Sequence, residues 1–338
     1  IETGKGVYSL FNRFKVRDSK RGGYGTISAA KVFEVSSNVG MVKIINEHYG
    51  NNPEKFVNRL YNMGVNKPLG LPISGEGIPK IPHPDDKNQW DLLDLPWMAY
   101  GYGVALTPLQ TLTFYNAIAN DGEMVKPRFV EMIKSYGQRP DQQFGKIVLN
   151  PSICSQNTIE KVKKMMFNVV DKKWGTAYNI KDNDLSIAGK TGTCQLDYNQ
   201  EGKEVQYAAT FVGYFPAEQP QYSCIVVIHR PDKKMGYYGS TVAAPVFKKI
   251  ASKIHNSIPK TIPLEWNQIR ELTTLGEDTA LTDPLIPNLV GLTANQAISL
   301  LEPLGLAVVI RGEGKVKNQS LESGTPILEN KKIILELS

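Results

Sequence analysis

Apolar positions fall at helical spacing through the first half of the chain and at strand spacing after residue 185. Between 52 and 64, Phe56, Leu60 and Met63 share one helical face. Asn52 stands where a cap belongs, Pro53 at the first helical position, and Gly64 at a left-handed exit. The stretch LTPLQTLTFYNAIANDG predicts a second helix. Thr107 and Gln110 form a capping-box pair, Pro108 opens the first turn, and Leu109, Leu112 and Ile118 line an apolar side that ends at Gly122. Upstream, Ser28 precedes Val32, Phe33 and Val35. Met41, Ile44, Ile45 and His48 then repeat at helical spacing, with Gly50 as the stop. Ser36-Ser37-Asn38 therefore falls in a tight turn between two helices.

After residue 185 the pattern becomes LSIAGKTGTC, YAATFVGYFP and YSCIVVIH. A polar loop with Asn199, Glu201 and Gly202 separates the first two, and Pro216 to Gln221 the last two, which predicts an antiparallel meander. A closing helix from about Val242 to Ser257 carries Val246, Phe247, Ile250 and Ile254. Residues 258–283 are weakly periodic and read as a linker. Residues 284–338 form a small β/α unit: a helix capped near Thr293, with Ala297, Leu300 and Leu301 apolar, then the strands LAVVIRG, KVKNQ and KKIILELS. The expectation is an α+β protein with domains at 1–257 and 284–338.

Composition narrows this picture. The 338 residues suit about two domains, and 41% hydrophobic content is enough for a core. A net charge of +6 mildly favours an anionic partner such as a cell-wall polymer or nucleic acid. The basic residues, however, come in short interrupted groups (Arg13, Lys15, Arg17; Lys20-Arg21), so no nucleic-acid surface is expected. Three cysteines (Cys154, Cys194, Cys224), four scattered histidines and no C-x-x-C argue against a metal site, and no cofactor is expected. The cysteines leave the compartment open, as one oxidised pair or three buried thiols. No run of eighteen apolar residues occurs, and the start at Ile1 reads as the interior of a longer protein.

Lys190-Thr191-Gly192-Thr193 is the strongest chemical signal. On a strand, Thr191 and Thr193 share one face, where two hydroxyls suit a carboxylate. Lys190, Gly192 and Cys194 share the other, where the glycine would let another element, such as a helix, pack closely. Ser36-x-Asn38 adds a hydroxyl and an amide that an extended turn aims the same way, although an ordinary N-cap for a helix at Val39 accounts for it equally well.

Together the two motifs, 154 positions apart, resemble those of the penicillin-binding protein transpeptidases. The blocks SSNVGMVK, GYGVALTPLQ, NDGEMVKP, AGKTGTCQ, FVGYFP and GSTVAAPVF resemble those of the class B enzymes. IPNLVGLTANQAISLLEPLGL, with GEGKVKNQS and SGTPI, resembles a PASTA domain, and the combination resembles a cell-division enzyme of the FtsI type. The resemblance implies a partial serine transpeptidase/β-lactamase-like fold, with helices on an antiparallel sheet, and acyl transfer from stem peptides ending in D-Ala-D-Ala. It also implies inhibition by β-lactams, divisome partners, and an extracytoplasmic location held by a membrane anchor upstream of residue 1. Ser36 would relay a proton, and Asn38 would hold the catalytic lysine and the substrate amide. Lys190 would supply positive potential; Thr191 and Thr193 would bind the carboxylate, with the Thr193 N–H as half of the oxyanion hole.

Ser28-x-x-Lys31 imitates the nucleophile motif but stands only eight residues before Ser36. At 1.5 Å per residue, a helix would separate the two serines by about 12 Å. Ser28 is therefore expected to be a cap and Lys31 a solvated side chain, with the nucleophile outside this chain. The remainder would be an inactive fragment with three sheet strands and an apolar face open where the nucleophile helix belongs. A D,D-carboxypeptidase or β-lactamase, or a non-catalytic wall- or partner-binding fragment, are the alternative readings.

Overall fold

Residues 1–11, 13–134, 140–196, 204–257, 285–301, 304, 306–327 and 332–338 are described by the computed structural model. The contacts divide the chain into Ile1–Pro259 and Lys260–Ser338. The expected linker and the loop through Asn199, Glu201 and Gly202 lie outside the described residues.

The first unit opens on a hairpin of β1 (Val7–Leu10) and β2 (Phe14–Arg17), which the sequence pattern does not announce. Helix α1 (Ala29–Glu34) follows, capped as expected by the Ser28 hydroxyl, which accepts the Lys31 N–H. Helix α2 (Asn38–Tyr49) is capped by Ser37 rather than by the flanking Ser36 or Asn38, and Gly50 ends it without leaving right-handed geometry. Its buried face is Val39, Gly40 and Val42, so His48, expected on the apolar side, is exposed.

Helix α3 (Pro53–Met63) has its Asn52 cap and left-handed Gly64. After the short α4 (Asp94–Met98), α5 (Pro108–Ala119) carries the full Thr107–Gln110 capping box. Its most buried positions include Gln110, Thr113 and Ala117, with Leu109 and Leu112 only half-buried. The short strands β3 (Met124–Val125), β4 (Met132–Lys134), β5 (Pro140–Gln143) and β6 (Val148–Asn150) form two small hairpin-like pairs, β3 with β6 and β4 with β5. Helix α6 (Gln156–Asp171) was not anticipated, although Ile159, Met166, Val169 and Val170 give it a buried stripe.

The predicted meander is β7 (Ala188–Leu196), β8 (Gln206–Phe215) and β9 (Tyr222–His229), in the order β7-β8-β9 with both pairings antiparallel. Strand alternation splits the core. Phe211 and Phe215 of β8 meet Phe247 of α7 (Ala244–Ser257), whereas the neighbouring Tyr214 lies with Ile118, Ile159 and Met166 under α5 and α6. Helix α7 is preceded by a wide turn at Gly239–Ala243. It buries Ala244, Phe247 and Ala251, leaving Val246 and Ile250 exposed.

The second unit contains α8 (Ala294–Leu301), β10 (Ala307–Arg311), β11 (Val316–Gln319) and β12 (Lys332–Leu337). Strand β12 lies between a parallel β10 and an antiparallel β11, and Leu289, Ala297, Leu301, Ile333 and Leu335 make its core. Thr293 and Gln296 pair at the start of α8. Among the described residues no helix is long and apolar enough to cross a membrane.

Candidate active site

Ser36 sits where α1 ends. Its backbone is left-handed, φ 55°, a conformation that costs a non-glycine residue about 1 kcal/mol. Several bonds hold it there. The N–H groups of Ser36 and Ser37 donate to the carbonyls of Phe33 and Val32 at 3.1 and 3.0 Å. Ser37 Oγ donates to the Asp18 carboxylate, which also accepts the Val39 N–H at 3.0 Å. Asn38 Nδ2 donates to the Arg17 carbonyl at 2.9 Å. The end of β2 thus clamps the turn, with the Asn38 amide nitrogen taken up by the Arg17 carbonyl.

Lys190, on β7, brings the two motifs together. Its ammonium donates to Ser36 Oγ at 2.9 Å and to the Thr191 carbonyl at 3.0 Å, and it lies 5.7 Å from the centre of the Phe33 ring. The residue as a whole is half-buried, but the ammonium end sits deep among protein atoms. Burial pushes its pKa down to about 8 from 10.5.

On the other face of β7, Thr191 and Thr193 open with Ser36 and Asn38 into a cavity of about 500 Å³. Lys20 is among its lining residues, and no Asp or Glu is. Three groups there escape motif reading. Thr176 places Oγ1 2.7 Å from Thr191 Oγ1. Gly239 donates its N–H to Thr193 Oγ1 at 2.9 Å. Tyr207 stacks on Tyr237 with ring centres 4.2 Å apart, and Tyr238 adjoins them. The Tyr237 hydrogen bond, aided by burial, pushes the Tyr238 hydroxyl up to about 12. A run of tyrosines after a strand is the only signal in the sequence that could have pointed to them.

Gly192 does not play the part expected of it. A Cβ there would meet only the Thr210 Cβ at 3.5 Å, an ordinary contact. The close approach belongs to Gly239, whose Cβ would fall 2.5 Å from the Gly192 carbonyl. Lys31 is likewise not simply solvated: its ammonium lies 4.6 Å from the centre of the Trp174 ring.

Ser28 caps the far end of α1 and does not line the cavity. Ser28→Ala is expected to cost about 1 kcal/mol through the lost cap, read as a small fall in Tm, and to leave penicillin acylation of a form containing the nucleophile unaltered. Complete loss of that acylation would refute the cap assignment.

A second cavity, of about 600 Å³, is mostly apolar and lined by Phe33, Ile45, Phe56, Leu60, Met63, Phe114, Ile118 and Met166, among others. Phe33 thus faces both this cleft and Lys190. Among the described residues, no group of three His, Cys, Asp or Glu side chains is arranged to hold a metal ion.

The site thus joins a strand lysine, a serine turn hydrogen-bonded to it and threonine hydroxyls that face one cavity. Residues 2–252 match the penicillin binding protein transpeptidase domain, and residues 285–338 match the PASTA domain. The chain belongs to the penicillin-binding protein transpeptidase family and carries a C-terminal PASTA domain. Stage V sporulation protein D of Bacillus subtilis is 28% identical over 96% of this chain and 48% of its own length. The peptidoglycan D,D-transpeptidase FtsI of Buchnera aphidicola is 30% identical over 57% of this chain and 31% of its own. Penicillin-binding protein 3 of Mycobacterium tuberculosis, solved in complex with ampicillin, superposes with a TM-score of 0.62 at 25% identity, covering 77% of this chain and 58% of that one. The chain spans about half the length, or less, of these curated relatives.

Proposed function

We propose that this chain is the lysine- and carboxylate-binding part of a peptidoglycan D,D-transpeptidase of septal wall synthesis, acting outside the cytoplasm through an acyl-enzyme. The observation that carries the reading is the Lys190 Nζ–Ser36 Oγ contact of 2.9 Å, directly beneath the threonine cradle. A substrate carboxylate would sit on Thr191 and Thr193, drawn by the Lys190 charge. An ammonium with a pKa of about 8 still carries its proton at neutral pH. Ser36, hydrogen-bonded to it, would pass a proton towards the leaving amine. The Thr193 N–H would serve the developing oxyanion, and the Asn38 amide oxygen the substrate backbone. Stem peptides ending in D-Ala-D-Ala are the substrate, β-lactams the inhibitors, and divisome proteins the partners.

The acylated serine would come from a segment outside residues 1–338. The apolar cleft supports this, because a helix laid along Phe33 and Met166 would bring its polar side towards Lys190 and Ser36. Incubation with a fluorescent penicillin tests the reading. No covalent label is expected on the 338-residue chain, and labelling is expected when the segment preceding it is joined on. A label mapped to Ser28 would overturn the assignment.

A further inference from the structure

Glu34 is a buried carboxylate that the proposed chemistry leaves unused. It ends α1, two residues before Ser36, and is 4% exposed. Its oxygens accept from neutral donors on another part of the chain, Oε1 from Asn168 Nδ2 at 2.7 Å and Oε2 from Trp174 Nε1 at 2.6 Å. Its backbone carbonyl accepts the Thr176 N–H at 3.3 Å. Thr176 then meets Thr191, hydroxyl to hydroxyl, at 2.7 Å. One chain of bonds therefore runs from the helix that delivers Ser36 to the cradle on β7.

We propose that Glu34 is a positioning residue for carboxylate recognition, acting through Trp174 and Thr176; this rests on the functional reading above. Between two hydroxyls at hydrogen-bond distance only one donates along the shared line. If Thr176 is held so that it donates to Thr191, the Thr191 hydrogen is free to point at an incoming carboxylate. If Thr176 drifts, Thr191 turns its hydrogen towards other acceptors and the cradle loses a donor. Glu34 fixes Thr176 twice, by its own carbonyl and by anchoring Trp174 two residues earlier. A buried carboxylate with two donors is a rigid anchor, because losing either leaves charge without compensation. The Lys31 ammonium over the Trp174 ring steadies the same side chain.

The test uses the 338-residue chain and two probes, diacetyl-L-lysyl-D-alanyl-D-alanine and its C-terminal amide, titrated by amide NMR. The readout is the ratio of the two affinities. The unsubstituted chain is expected to favour the carboxylate. Glu34→Gln and Trp174→Phe should each reduce that preference about tenfold. In a Thr176→Val background neither should reduce it further, since coupled residues do not add. Parallel losses for both probes, or additive effects with Thr176→Val, would show that Glu34 serves only the packing of α1 and sink the proposal. If Glu34→Gln does not fold, Trp174→Phe decides, because it retains the Asn168 contact. A chain that shows no carboxylate preference before any substitution overturns the functional reading, and this proposal with it. A preference that survives both substitutions overturns this proposal alone.

Discussion

Lys190→Met is expected to move stability and chemistry in opposite directions. Acylation by penicillin, in a form that includes the nucleophile, should fall on the order of 10³-fold, the scale of losing a preorganised charge or donor at a reacting centre. The 338-residue chain should nevertheless become more resistant to denaturant at pH 7. The reason is the depressed pKa of Lys190, about 8 in the folded chain against 10.5 for an ordinary lysine. At pH 7 the folded protein keeps an ammonium that burial disfavours, at a cost of up to about 3 kcal/mol for a shift of this size. Between pH 8 and 10.5 the unfolded chain binds the proton more readily, so the stability of the unsubstituted protein rises with pH through that window. Methionine fills similar space without charge, so its advantage should be largest at pH 7 and should shrink by pH 10. Denaturation midpoints of the two proteins at both pH values check this, and their difference cancels every group the two share. A methionine variant less stable at pH 7 would mean that the Ser36 and Thr191 bonds outweigh the burial of the charge.

The parts of this site legible in the sequence are those set by local rules. Strand alternation was enough to put Thr191 and Thr193 on one face, and the helical patterns on either side of Ser36-Ser37-Asn38 were enough to put that motif in a turn. The caps at Ser28, Asn52 and Thr107 were equally legible, because each depends on residues three or four apart. What escaped depends on distant pairings. Thr176 reaches Thr191 because α6 and the loop after it return beside β7. Glu34 meets Trp174 140 positions away, and Asp18 reaches Ser37 from the end of a four-residue strand. No periodicity encodes such contacts. The strands between 124 and 150 escape for another reason: they are two to four residues long and, Met124 apart, several of their apolar side chains are exposed, so alternation has too little buried face to mark. Gly192 shows a reading right in kind and wrong in place, since a glycine does admit a close approach here, but from the other side of the contact.

That contact yields the second large effect. Gly239→Ala is expected to destabilise the 338-residue chain by about 2–3 kcal/mol, whereas Gly192→Ala should stay within about 0.5 kcal/mol. At Gly239 a Cβ would stand 2.3 Å from the Thr210 carbonyl oxygen and 2.5 Å from that of Gly192. Both are backbone atoms of paired strands, so no rotamer change relieves the clash, and the turn before α7 must lift off the sheet. Lifting it withdraws the Gly239 N–H from Thr193 Oγ1 and frees one of the two cradle hydroxyls to rotate. At Gly192 the added methyl would meet one side-chain carbon at van der Waals distance, and the backbone has no positive φ for alanine to resist. Thermal denaturation of the two variants separates the cases, with Tm expected to fall by roughly 4–12 °C for Gly239→Ala and scarcely to move for Gly192→Ala. The reverse order would mean that β7 is packed tightly on the Gly192 side, as the strand pattern alone suggests, and that the Gly239 turn can yield.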